Sequence, residues 1–352
     1  MADMVNGADY PDDGYSQDLF VFKENAEDIT IDENFSSQSF WREVRSQFIK
    51  KKSAVFGLIA IIIITLLAIL GPGMNSYSYS DQNLAQKNLA PRVSWLEGLG
   101  IFDGSETIST TSGSKTTDNY EENGLDDVYY WFGSDTFGRD IWTRTWSGAQ
   151  VSLIIAVAAA LIDMLIGMSY GLISGYFGGK VDMVMQRILE ISNGIPRLVI
   201  VTLLLLVLSP GILTIVFALM LTEWIGMSRI ARAEMLKLKE REFVLASRTL
   251  GAGSFFIIFK EVLPNIIGPI ITQVMFSIPT AIFTEAFLSF VGLGIPVPQC
   301  SLGSLISEGF NSFTTHPYQI VPPIIVMALL MLSFNLVADG MREALDPKFK
   351  EM

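Results

Sequence analysis

Three kinds of residue are scarce in this chain of 352 amino acids: cysteine, histidine and charged residues. Cys300 is the one cysteine, which excludes an intramolecular disulfide and a cysteine-based metal site. His316 is the one histidine, which excludes a histidine cluster, and its neighbours Thr315 and Pro317 indicate a loop, where we expect a solvated side chain. Charged residues make up 17% of the chain, against about 25% in a soluble domain, so the composition argues against a water-soluble protein.

The sequence also lacks a phosphate-binding loop, which requires the pattern G-x-x-x-x-G-K-[ST]. The nearest approach is Gly179-Lys180, but Val181 follows it and Ser174 stands where the first glycine belongs. The scarcity of histidine and cysteine disfavours catalytic triads and zinc sites. We therefore expect no enzyme activity, no cofactor and no metal site in this chain. Energy for any uphill process would come from a partner or an ion gradient.

The net charge of −12 argues against a nucleic-acid partner. The acidity lies in two polar blocks. Residues 1–40 hold ten acidic residues and one basic residue, and residues 72–148 hold eleven acidic and five basic residues. The rest of the chain is mildly basic, and half of all residues are hydrophobic. This distribution indicates an integral membrane protein.

Six apolar segments come close to the roughly 20 residues that a helix needs to cross a bilayer. Two of them share the long stretch 188–227, which is interrupted at Ser209-Pro210-Gly211, where proline and glycine predict a tight hairpin. The remaining four are the segments 54–70, 149–173, 266–283 and 320–338. We find no internal repeat.

The distribution of lysine and arginine predicts the orientation, because cytoplasmic loops carry an excess of both. With the N-terminus inside, 18 of the 24 basic residues are cytoplasmic and five lie outside, all in 72–148. Arg197, near the start of the third span, is the remaining one. The sequence therefore predicts that both termini are cytoplasmic.

The same pattern divides the chain into regions. Residues 1–38 form an acidic cytoplasmic tail without apolar periodicity, which we expect to be disordered. In 39–53, Phe40, Trp41, Val44 and Phe48 share one helical face, which predicts an amphipathic helix on the inner membrane lipid surface. There follow the first transmembrane helix at 54–71, an extracytoplasmic loop at 72–148 with a mobile insertion at 104–124, a five-helix core at 149–341 and a cytoplasmic C-terminus at 342–352.

The cytoplasmic segment 228–264 has an unusual spacing of small and special residues. It predicts a helix, a glycine turn and a second helix, since Gly251 permits a positive φ. Small residues before the turn would let another protein dock closely, and a proline marks the entry to the next span. A basic loop that only satisfies the positive-inside rule is the alternative. The positions concerned are Leu245, Ala246, Ser247, Gly251, Leu263 and Pro264.

This segment resembles the signature E-A-A-x3-G-x9-I-x-L-P of ABC-importer permeases. It departs from the signature at Leu245, Ser247 and Glu261. Further segments, in the same order, resemble the C-type permease of oligopeptide and dipeptide importers, and the resemblance covers about residues 36–350. These segments are 132–140 (FGSDTFGRD), 148–153 (GAQVSL), 175–182 (GYFGGKVD), 194–196 (GIP), 229–232 (RIAR), 242–246 (EFVLA), 288–294 (LSFVGLG) and 345–347 (LDP).

The resemblance implies an all-α protein of the cell membrane with the six-helix fold of type I ABC-importer permeases. It implies a heterodimer with a homologous B-type permease, two cytoplasmic ATPase subunits that bind ATP and Mg, an extracytoplasmic peptide-binding protein and a peptide substrate. The segment that begins at Glu242 would be the coupling helix in a cleft of one ATPase. A nickel or other small-solute importer, a stand-alone secondary transporter and a membrane receptor remain alternatives.

Other residues in the spans carry separate hypotheses. Gly167, Gly171 and Gly175 put three small residues on one helical face, for packing within this subunit rather than at a subunit interface. Asp163 and Glu285 are ionisable residues within spans. Either would line the translocation path, or would instead bind a neighbouring helix. For Arg229 and Arg232 we expect contacts with headgroups or the ATPase.

Overall fold

The computed structural model describes residues 40–110 and 113–345. The chain divides into two units, Met1–Glu43 and Val44–Met352, and of the first unit only residues 40–43 are described. The predicted acidic tail and most of the predicted cytoplasmic C-terminus therefore lie outside the described residues.

The described chain consists mostly of helices. The α-helices are α1 (Phe40–Lys50), α2 (Lys52–Leu70), α3 (Asn119–Glu122), α4 (Ile141–Ile162), α5 (Met168–Phe177), α6 (Gly179–Gly194), α7 (Arg197–Val207), α8 (Ile212–Thr222), α9 (Trp224–Leu238), α10 (Glu242–Thr249), α11 (Ser254–Phe256), α12 (Leu263–Asn265), α13 (Ile267–Leu288), α14 (Leu302–Asn311) and α15 (Val321–Leu345). Wider π turns extend three of them, at Asp163–Gly167, Ile257–Val262 and Ser289–Leu293. Short 3-10 turns lie at Gly71–Gly73, Leu84–Gln86, Glu97–Leu99 and Pro317–Gln319.

Five helical segments of the described chain are long and apolar enough to cross a membrane, or six if a bent pair counts as one span. The bent pair is α6 and α7, whose axes differ by 80°. The predicted hairpin at Ser209–Gly211 is confirmed, because α7 ends at Val207 and α8 begins at Ile212. The five continuous segments are Lys52–Gly73, Ile141–Phe177, Ile212–Leu238, Ile267–Leu293 and Pro317–Leu345.

The bend between α6 and α7 follows from the dipeptide Ile195-Pro196. A residue before proline is pushed out of the helical region, and Ile195 is accordingly extended, with ψ of 122°. Proline has no N–H to continue the helical hydrogen bonds, but it is tolerated where a new helix begins. Along the stretch 188–227 the sequence predicted an interruption at Ser209–Gly211, but it did not predict this bend.

The main core lies between α2, α4, α13 and α15. Alanines on α4 let the neighbouring helices approach, and larger apolar side chains of α13 and α15 fill the space between them. At the inner end, Val44 and Phe48 of α1 are buried in a smaller cluster with Ala54, Val337 and Ala344. α1 thus has one buried apolar face, while its contact with the membrane surface stays a prediction.

The segment 104–124, predicted to be a mobile insertion, contains two strands and a short helix among the residues that the structure describes there, and its mobility stays a prediction. Strands β1 (Ser105–Thr110) and β2 (Gly113–Asp118) pair antiparallel, and α3 follows directly. The Tyr120 side chain is fully buried, and its hydroxyl donates to the carbonyl of Ala90 at 2.8 Å. Because the strand residues are polar, the sequence pattern did not predict this segment, which one buried aromatic side chain anchors to the rest of the loop.

His316 is also better anchored than its loop position predicted. Its Nδ1 lies 2.9 Å from Glu106 Oε2, and both side chains are largely shielded from solvent. The contact joins β1 to the loop before α15, two segments that are distant in sequence. The expectation of a solvated histidine is therefore wrong.

Candidate functional site

The predicted helix–glycine–helix segment is present between α9 and α13. α10 ends in a turn at Gly251, whose φ is +82°, and α11 begins three residues later. Within the described chain, a Cβ added at Gly251 would meet no atom within 4 Å. Glycine is therefore favoured here by the left-handed backbone and not by lack of space.

Backbone hydrogen bonds define this turn as a Schellman motif, the common glycine-terminated end of a helix. The N–H of Ala252 donates to the carbonyl of Ser247 at 3.0 Å, and the N–H of Gly251 donates to that of Arg248 at 3.0 Å. Both bonds require the left-handed conformation at Gly251. The direction in which the chain leaves α10 thus depends on this one residue.

Two residues that depart from the importer signature contact each other. The hydroxyl of Ser247, on α10, donates to Glu261 Oε1 at 2.6 Å. Glu261 belongs to the π turn after α11, so the hydrogen bond joins the two arms of the segment. One turn earlier on α10, Val244 is fully buried in an apolar cluster with Ile257 and Val262. The arms therefore form one packed unit.

The outer surface of this unit is apolar. Leu250, next to the glycine, is 87% exposed, the largest exposure among the exposed large apolar side chains of the described chain. Glu242 and Ala246 on α10 are exposed as well, and Leu263 and Pro264 form the first turn of α12 at the entry to α13. An exposed apolar surface on a polar loop is typical of a protein-binding site. The further exposed apolar side chains are Phe243, Leu245, Phe255 and Phe256.

The glycine-rich face of the second span packs against α9 of the same chain. A Cβ at Gly171 would lie 2.2 Å from the carbonyl oxygen of Ser228, and one at Gly167 would lie 2.5 Å from that of Trp224. Gly175 contacts Met235 in the same way. Packing within the subunit, which the sequence analysis favoured, is what the structure has.

Arg232 forms an ion pair within the subunit that the sequence did not predict. Its Nε and Nη2 each donate to the Asp182 carboxylate at 2.6 Å, and the hydroxyl of Ser174 donates to the same carboxylate at 2.5 Å. The chain reverses at Gly178, where φ is +62°, and this turn brings α6 back towards α9. Arg232 thus has an ion-pair partner within its own subunit and Arg229 is exposed, and contact of either residue with headgroups or the ATPase stays a prediction.

The two predicted path carboxylates are enclosed by helices of their own subunit. Asp163 is 1% exposed, lies in the π turn after α4 and accepts a hydrogen bond from the hydroxyl of Ser277 on α13. Glu285 is 0% exposed and accepts hydrogen bonds from Ser152 at 3.1 Å and Ser301 at 2.6 Å. This burial favours the alternative in which each carboxylate joins neighbouring helices, and the path role stays a prediction.

A charged cluster beside the first turn of α4 was missed. Arg139 and Arg144, each 1% exposed, share the Glu308 carboxylate at 2.7 Å and 2.9 Å. Arg139 also pairs with Asp135 at 2.6 Å, so the motif 132–140 is tied to α4 and α14. The four-residue spacing of Asp135 and Arg139 was visible, but Glu308 is far away in sequence. Beside this cluster, burial raises the pKa of the Cys300 thiol to about 11.

A second missed cluster lies inside the spans. Nη1 of Arg197, the first residue of α7, is 2.8 Å from Glu223 Oε1 and donates to the hydroxyl of Thr284 on α13 at 3.1 Å. Its signal in the sequence was a single basic residue within an apolar stretch. Three separate helices meet at this arginine.

Taken together, the long apolar helices define a polytopic membrane protein, and its segment 228–264 exposes apolar side chains. The family described as "Binding-protein-dependent transport system inner membrane component" matches residues 167–351, and "N-terminal TM domain of oligopeptide transport permease C" matches residues 39–91. The chain belongs to the family of binding-protein-dependent transport system inner membrane components. It is a multi-pass protein of the cell membrane.

Curated relatives extend over nearly the whole chain. The chain is 41% identical to "Oligopeptide transport system permease protein OppC" of Bacillus subtilis, over 90% of this chain and 92% of that protein. It is 39% identical to "Dipeptide transport system permease protein DppC" of the same organism, over 89% and 86%. It is 34% identical to "Oligopeptide transport system permease protein OppC" of Escherichia coli, over 94% and 99%.

Proposed function

We propose that this chain is the C-type permease of an ABC importer that carries oligopeptides or dipeptides into the cell. It forms a heterodimer with a homologous B-type permease. Two ATPase subunits bind ATP and Mg on the cytoplasmic side, and an extracytoplasmic binding protein delivers the peptide. Six spans place both termini in the cytoplasm, and the bent pair α6–α7 is the third span. The names of relatives that match nearly the full length support the peptide substrate.

The coupling role of segment 228–264 is supported by one observation above all. Leu250 and the exposed apolar side chains around it lie in the most basic loop of the chain, which the positive-inside rule assigns to the cytoplasm. There, neither lipid nor this subunit covers them. Burial of this apolar surface in a cleft of an ATPase subunit would stabilise the contact by about 25 cal/mol for each Å² removed from water. The stiff turn at Gly251 would then transmit the ATPase motion to α13.

Two other functions fit parts of the structure. An importer for nickel or another small solute would use the same fold and the same loop. A stand-alone secondary transporter would need its own ion coupling, yet the carboxylates that could serve it, Asp163 and Glu285, are buried and hydrogen-bonded. The importer is therefore the better-supported function.

The complete importer, purified through a tag on this chain, tests the proposal. We expect two ATPase copies and one second permease to copurify, and the reconstituted complex to import labelled peptides of graded length with ATP. Nickel uptake without peptide uptake would favour the alternative substrate. Uptake by this chain alone, driven by an ion gradient, would contradict the importer.

Single cysteines test the orientation, since the native Cys300 is buried and should not compete for the reagent. Glu240 and Asp127 are exposed on opposite sides of the proposed membrane, so we would label Glu240→Cys and Asp127→Cys in intact cells. A membrane-impermeant thiol reagent should label the second variant and spare the first. Labelling in the reverse pattern would overturn the topology.

A further inference from the structure

Arg197 is a charged residue in the middle of a broken span. In the six-span arrangement, the sixteen residues of α6 precede it, and it is the first of the eleven residues of α7. These helices rise by about 24 Å and about 16 Å along their axes. The two helices are bent by 80°, so their rises do not simply add. α7 alone is shorter than a hydrocarbon layer about 30 Å thick, so with the Ser209–Gly211 hairpin at one face of the membrane the junction lies within the layer.

The contacts of Arg197 use only one of its nitrogens. Nη1 faces Glu223 and Thr284, and among the described residues neither Nε nor Nη2 makes a hydrogen bond. The Arg197 side chain is 41% exposed, whereas that of Glu223 is 13% exposed. Glu223 thus holds one side of the guanidinium and leaves the side formed by Nε and Nη2 open.

This open side does not face lipid. Charged side chains within membranes face a water-filled cavity or other protein, because exposure to hydrocarbon is costly. The helix break beside Arg197 gives the same indication. Gly194, Ile195 and Pro196 are all exposed, and a broken helix is tolerated at this depth only where it lines a cavity or is covered by protein.

Polar and accessible residues continue from Arg197 towards the cytoplasm along α13. Thr284 contacts Arg197, and Thr280, one turn further in, is exposed. Phe276, the next turn, lines a cavity of about 620 Å³ at the inner ends of α9, α13 and α15. Thr272 and Gln273 line the same cavity. One face of α13 therefore connects the arginine to the cytoplasmic side.

We infer that Arg197 lines the translocation path and binds the C-terminal carboxylate of the peptide in transit. This inference rests on the proposed function and names a residue that contacts the substrate. The Nε–Nη2 side of a guanidinium offers two parallel donors, which match the two oxygens of a carboxylate. The ion pair with Glu223 and the hydrogen bond to Thr284 both use Nη1, so Nε and Nη2 stay available to the peptide.

The test measures uptake of two substrates by the complete reconstituted importer: a peptide with a free C-terminal carboxylate, and the same peptide with a C-terminal amide. Arg197→Gln should lower uptake of the free-acid peptide at least tenfold and change uptake of the amide less than twofold. Arg197→Lys, which keeps the charge, should restore part of the free-acid uptake. The matched control is Arg187→Gln on α6. Arg187 is exposed and pairs with Glu190, so this change should leave uptake of both peptides unaltered.

An equal loss of both substrates in Arg197→Gln would overturn the inference, because it would mean that Arg197 only holds the helices together. Unchanged free-acid uptake would overturn it as well. Absence of peptide uptake by the unmodified importer would instead contradict the proposed function itself.

Water access gives a second measurement, which does not depend on what the binding protein delivers. Arg197→Cys should react with a charged thiol reagent while the importer turns over ATP, and excess free-acid peptide should slow this reaction. Ile63→Cys, exposed on the first span, should stay unreactive because it faces lipid. An unreactive Arg197→Cys would mean that the partner permease covers this position, and the path assignment would be wrong.

Discussion

Replacement of Gly251 by valine is the sharpest test of the coupling segment. At φ of +82° a β-branched side chain strains the backbone by about 1–3 kcal/mol. The two hydrogen bonds of the turn, at about 1 kcal/mol each, are of the same size as this strain. The strain therefore shifts the balance between this turn and other conformations by about 5- to 150-fold.

The change should redirect the chain after α10 without disturbing the spans. No side chain is displaced, since a Cβ at Gly251 meets no described atom within 4 Å. We expect Gly251→Val to insert and to pair with the second permease. The purified complex should then lose its ATPase subunits, or keep them without peptide-stimulated ATP hydrolysis.

Gly124 is a matched control, because its φ is +65° and the space around its Cβ position is also open. Gly124→Val carries the same kind of strain in the outer loop, far from the coupling segment in sequence. It should leave ATPase binding and peptide uptake intact. Normal coupled uptake in Gly251→Val, at normal membrane levels, would refute the reasoning that this turn transmits the ATPase motion.

Three further outcomes follow from the described contacts. Gly171→Leu should lower the amount of folded protein in the membrane, because its side chain would collide with α9, whereas Gly194→Ala, with no atom of the described chain nearby, should not. Ser247→Ala removes the bond to Glu261 between the arms, and it should reduce the ratio of peptide import to ATP hydrolysis while the complex stays assembled. Cys300, with its pKa raised to about 11, should resist alkylation at pH 8, where about one thiol in a thousand is ionised, and should react after denaturation.

The sequence by itself determined the class of the protein and the main features of its backbone. Long apolar runs predict spans because a bilayer demands a local stretch of apolar residues, and that demand can be read without knowing the fold. The hairpin at Ser209–Gly211 and the turn at Gly251 are local as well, since each depends on the conformational limits of proline and glycine. The spacing of glycines on the second span likewise predicted internal packing.

The tertiary structure alone decided which polar side chains meet. Asp163 and Glu285 are charged residues in apolar stretches, and nothing local shows that serines from distant helices bind them. Arg197 was not a path candidate in the sequence, and only the tertiary structure shows that it follows the bend at Pro196 and lies 2.8 Å from Glu223 of another helix. Hydropathy reports the environment of a residue along its own helix, whereas a path between helices depends on contacts between residues far apart in the chain.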